Sequence, residues 1–69
     1  MDGRERTFDV LAWLADRRIV LYVPEIEAST VVSGMDDADA AARELICDLT
    51  GIDAAVVRCT ISVGRPGRI

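Results

Sequence analysis

The first regular alternation runs from Thr7 to Trp13. Phe8, Val10 and Ala12 fall on one side of an extended backbone, and Thr7, Asp9, Leu11 and Trp13 on the other. A period of two over that length predicts a β-strand. Ala15-Asp16-Arg17 interrupts the pattern and the β-branched run Arg18-Ile19-Val20-Leu21-Tyr22-Val23 follows. So short a break predicts a hairpin, with Asp16 as the turn former. Pro24 has no N–H to give a ladder, so it ends the second strand. Glu25-Ile26-Glu27 makes the next corner, and Ala28 to Ser33, built on Thr30-Val31-Val32, predicts a third and shorter strand.

Beyond Gly34 the period changes. From Met35 to Thr50 the apolar positions are Ala38, Ala41, Ala42, Leu45, Ile46 and Leu49, spaced by three and four as on one stripe of a helix. Asp36, Asp37 and Asp39 are expected in its first turn, where carboxylates meet the positive end of the helix dipole. Gly51 is placed to close the helix in a left-handed conformation. Ala54 to Val63 predicts a fourth strand, with Val57, Cys59, Ile61 and Val63 on one face and Val56, Arg58, Thr60 and Ser62 on the other. Residues 64–69 have no periodicity and are expected to form a flexible C-terminal tail.

These elements predict an α+β fold of β-β-β-α-β order, a single domain over residues 1–63. It should be an antiparallel three-stranded meander plus a fourth strand reached by a right-handed helical crossover, with one helix on one face. The helix stripe should cover Phe8, Val10, Ala12, Ile19, Leu21 and Val23. The opposite face then carries Asp9, Leu11, Trp13, Val20, Tyr22, Val56, Arg58 and Thr60 with no helix to shield it. An apolar patch of that kind predicts an interaction surface.

Size sharpens this expectation. A chain of 69 residues makes one domain and buries only about 60% of the surface its unfolded form exposes. Its apolar fraction of 51% includes only three aromatics, Phe8, Trp13 and Tyr22. A core so small gains from an interface. Eight Arg, no Lys and twelve acids give a net charge of −4, which repels a phosphate backbone and suits a basic protein partner. The charged start Met1-Asp2-Gly3-Arg4-Glu5-Arg6 is unlike a signal peptide, and no apolar run approaches the roughly 20 residues that cross a bilayer. A cytoplasmic protein with both thiols free and no membrane contact is expected.

Chemistry is sparse. With no His and no Lys, general acid–base work is left to carboxylates, Tyr22 and two thiols. Cys59 is expected to point inward as a small hydrophobe, and Cys47 to lie off the apolar stripe beside Arg43 as a solvated thiol. Strand parity sends Asp9 away from the helix that carries Glu44, so the two cannot share a metal. Asp36, Asp37 and Asp39 lack the alternating ligands of a calcium loop, and the glycines stand too far apart for a phosphate loop. We expect no enzymatic activity, no metal and no cofactor.

One stretch is more specific. Tyr22-Val23-Pro24-Glu25-Ile26 is followed by a short strand, Met35-Asp36-Asp37-Ala38, Ala42-Arg43-Glu44-Leu45-Ile46, the helix end Leu49-Thr50-Gly51 and a last strand. In order and spacing these segments resemble the HicB-like antitoxin family, over about Phe8 to Val63. The resemblance implies a partial ribonuclease H-like fold that neutralises a small basic HicA-type toxin ribonuclease by steric occlusion. Many of these antitoxins add a DNA-binding segment; no direct nucleic-acid binding is expected of the residues here.

The sequence departs from the family where Thr30-Val31-Val32-Ser33 stands for a more polar third strand, and at Leu11 and Trp13, commonly small and polar positions. That added apolar surface makes an orphan homo-oligomer without a toxin the alternative. The expected partner-binding residues are Leu11, Trp13 and Tyr22 as apolar anchors and Glu25 and Glu27 as charge partners. Arg58 is expected to join them, facing Asp9 across a two-fold interface.

Overall fold

The computed structural model describes residues 5–64. Four strands form one mixed sheet, and a single α-helix lies on it. The fold is α+β. Strand β1 (Arg6–Ala15) turns into β2 (Arg18–Val23) through Asp16 and Arg17, both at positive φ, 52° and 66°. Two left-handed residues in a two-residue loop match the right-handed twist of the flanking strands. Pro24–Ile26 form one 3-10 turn, closed by Glu27 at φ 50° with its N–H on the Pro24 carbonyl, and β3 (Ala28–Val32) follows.

The expected helix divides in two. Met35–Asp37 make a 3-10 turn, and α1 runs Ala38–Thr50. Only Asp39 of the three aspartates therefore lies in the first α-helical turn. The end is well fastened. Gly51 at φ 78° donates its N–H to the Cys47 carbonyl, the Thr50 hydroxyl donates to the Ile46 carbonyl at 2.6 Å, and the Ile52 N–H donates to the Thr50 hydroxyl oxygen at 3.1 Å. Asp53 then accepts the Ala55 N–H at 3.0 Å, starting a 3-10 turn over Ala54–Val56. Strand β4 (Val57–Val63) is thus shorter than its apolar run, and Val56 lies outside it.

The order across the sheet is β3-β2-β1-β4, with β1–β2 and β2–β3 antiparallel and β1–β4 parallel. The core consists of Phe8, Val10 and Ala12 from β1, Leu21 and Val23 from β2, Val57 from β4, and Ala38, Ala42 and Ile46 from α1. Two of the three buried helix residues are alanines, which let the helix backbone approach the sheet closely. Ile19 is half-buried against this core rather than inside it.

The helix stripe is rotated from its expected centre. It is centred on Ala38, Ala42 and Ile46, flanked by Ala41 and Leu45 on one side and Cys47 on the other, while Leu49 is 59% exposed in the last turn. Cys47 is therefore no solvated thiol. It packs half-buried against the core, as Cys59 does from β4. Burial pushes the Cys59 thiol up, the nearby charges of Asp39 and Cys47 add to the shift, and Arg43 opposes it. The expected tail falls outside the described residues, apart from Gly64, whose N–H donates to the Ala12 carbonyl at 2.9 Å.

Candidate protein-binding face

The ladder registers decide which side chains share the face away from α1. Leu11 lies opposite Tyr22, Trp13 opposite Val20, Tyr22 opposite Ser29 and Val20 opposite Val31. Leu11, Trp13, Val20, Tyr22 and Val31 therefore form one contiguous apolar patch over β1, β2 and β3. None of them belongs to the core or to the half-buried shell packed on it. The first four are half-buried among one another, and Val31 is half-exposed. Sequence reasoning missed Val31. Its strand was recognised, but the face it occupies follows only once β3 is set in register with β2.

The half of this face over β4 is polar. Thr7 pairs with Arg58, Asp9 with Thr60 and Leu11 with Ser62. The Arg58 guanidinium donates to the Glu5 carboxylate at 2.7 Å. That hydrogen bond, then the charge of Arg58, hold the Glu5 carboxyl below its ordinary range, and reciprocally Arg58 is raised. Arg58 thus has an anionic partner within the chain, just ahead of β1 and two residues before its opposite number Thr7. Asp9, the partner expected for it across a two-fold between copies, lies opposite Thr60 within the chain.

The two corner glutamates differ in their surroundings. Glu25 sits 3.6 Å from Arg6, whose guanidinium also lies 5.3 Å from the centre of the Phe8 ring. Both charges are about half exposed, so the pair is weak. It caps the helix-side end of the core and is remote from the apolar patch. Glu27 is exposed and has no ion-pair partner among the described residues. Five further acids, Asp36, Asp37, Asp39, Glu44 and Asp48, are all exposed on α1 and its lead-in, so most of the helix-side charge lies apart from the apolar patch, while Asp9 borders it.

A second apolar feature had no signal in the linear pattern. At the hairpin end, the sheet extends past the helix. Ala12, Leu14, Ile19, Met35 and Val63 line a pocket of about 220 Å³ together with Trp13. Leu14 is 70% exposed and Val63 84% exposed. Val63 was expected inside, and parity does put it on the helix side, but α1 does not reach it. Through Trp13 this pocket adjoins the apolar patch on the other face.

Among the described residues no polar or charged side chain is buried, and no three His, Cys, Asp or Glu side chains converge as a metal site. No helix among them is long and apolar enough to cross a membrane. Searches of protein-family models, of curated proteins and of solved structures find no match to this chain.

Proposed function

We propose that this chain is an antitoxin-type protein-binding domain of the cytoplasm, which neutralises a small basic toxin ribonuclease by steric occlusion and catalyses nothing itself. The observation that carries the reading is the bare sheet face. Five apolar side chains, Leu11, Trp13, Val20, Tyr22 and Val31, lie side by side with no element over them among the described residues. Aromatics in such a patch are the residue types that dominate binding energy at interface centres. The absence of a family match leaves the HicB-like, partial ribonuclease H-like assignment resting on the segment order from Tyr22 to Gly51.

Charge takes a different part from the one the sequence suggested. Five exposed acids lie away from the apolar patch, on α1 and its lead-in, so a net charge of −4 steers a basic partner towards the molecule, and Trp13 and Tyr22 hold it. Glu27 at the corner and Asp9 on the bare face, both exposed and outside the ion pairs among the described residues, are the acids free to pair at close range.

The test is coexpression of the full chain with small basic proteins encoded beside its gene. One of them should inhibit growth alone, and the inhibition should be relieved by the wild-type chain. Trp13→Asp should give no relief while its far-ultraviolet dichroism stays native. Inhibition unchanged by the wild-type chain overturns the reading, as does full relief by Trp13→Asp.

A further inference from the structure

We propose that the outer edge of β4 is a self-pairing surface, joining two copies of this chain into one continuous sheet about a two-fold axis through Thr60. The proposal concerns the sheet edge and stands independently of what binds the apolar face.

Backbone parity comes first. The Gly64 N–H donates to the Ala12 carbonyl, and Ala12 lies opposite Val63 in a parallel ladder. In a parallel pair, one residue of each bridge gives both its polar groups to the neighbours of its opposite number. Ala12 is that residue, so Ser62 and Gly64 turn their backbone groups towards β1. The backbone groups of Val57, Cys59, Ile61 and Val63 therefore point outwards. Among the described residues β4 is an outer strand of the sheet; the Val57 N–H is held by the Ala54 carbonyl, and the outward groups of Cys59, Ile61 and Val63 meet no backbone partner there.

Edges of this kind are normally guarded by shortness, proline, a bulge or inward charge. The opposite edge, β3, is five residues long. Strand β4 is seven, Val-Arg-Cys-Thr-Ile-Ser-Val, with no proline and no glycine. Its one charge, Arg58, is drawn back across the sheet to Glu5. Two copies of such a strand complement each other. An antiparallel pair centred on Thr60 sets Cys59 against Ile61 of the second copy, exchanging both outward-facing groups, and Val57 against Val63, where the Val63 N–H reaches the Val57 carbonyl while the Val57 N–H stays on Ala54. Arg58 then meets Ser62 rather than another Arg58, which avoids opposed like charges. Val63, 84% exposed in one copy, gains an apolar neighbour. Because the axis stands perpendicular to the sheet, both apolar faces end on the same side.

Cross-linking tests the register directly. At the axis the two Thr60 residues form a non-hydrogen-bonded pair with Cα atoms about 4.5 Å apart, within the roughly 4.4–6.8 Å that a disulfide spans. In a full-length chain with Cys47→Ala and Cys59→Ala, Thr60→Cys should be captured as a covalent dimer by oxidised glutathione. Arg58→Cys and Ser62→Cys should each form no covalent dimer alone and should cross-link when mixed. Separately, Ile61→Pro, which removes an outward N–H and leaves the β1 ladder intact, should sediment as a monomer where the parent chain dimerises. A Thr60→Cys chain of native dichroism that is not captured overturns the proposal. So does equal capture at all three positions, or a parent chain that sediments as a monomer throughout.

Discussion

Three residues hold backbone conformations that their side chains disfavour: Asp16, Arg17 and Glu27, at φ 52°, 66° and 50°. Asp tolerates the left-handed region through its short polar side chain, but Arg has no such excuse. Arg17 is exposed, and the hairpin sets its conformation. Arg17→Gly should therefore stabilise the fold by about 1 kcal/mol, seen as a higher urea midpoint at unchanged slope. No gain would mean that the Arg17 side chain makes compensating contacts. At the same scale, which side chains share a strand face was legible in the sequence and their partners on neighbouring strands were not. That Arg58 binds Glu5, and Arg6 reaches Glu25 and Phe8, depends on which strands adjoin, information that no spacing along the chain contains.

The helix shows how far periodicity reaches. Spacing alone found α1 and its closing glycine, and nearly every residue of its buried stripe. It could not separate Ile46, fully buried, from Leu49, 59% exposed, because both repeat at three and four. What separates them is how much sheet lies beneath each turn. Ile46→Ala should cost about 2–5 kcal/mol, the range for truncating a core aliphatic; Leu49→Ala, with little burial to lose, should stay within about 0.5 kcal/mol. Chemical denaturation of the two variants checks that difference in cover, and equal losses would refute it. The same blindness concealed the end patch. Leu14, Met35 and Val63 read as ordinary strand and helix residues until the helix is seen to stop short of the hairpin end.

As a whole the molecule is a two-layer body with one layer too few. One sheet face is covered by α1; the other carries an apolar patch beside a polar half, and five of the acids lie on α1 and its lead-in. Single exposed apolar residues are ordinary on a protein surface; here five adjoin, four of them half-buried and Val31 half-exposed, and this is the patch that the proposed partner would cover. The chain carries one tryptophan, and it sits within that patch, so it reports on the claim directly. Acrylamide quenching of Trp13 should be measured in the chain alone and with its basic partner, the partner's own tryptophans replaced by phenylalanine. The prediction is a readily quenched tryptophan in isolation that becomes shielded, with blue-shifted emission, in the complex. A Trp13 already shielded in the isolated chain, or equally open in the complex, would contradict it.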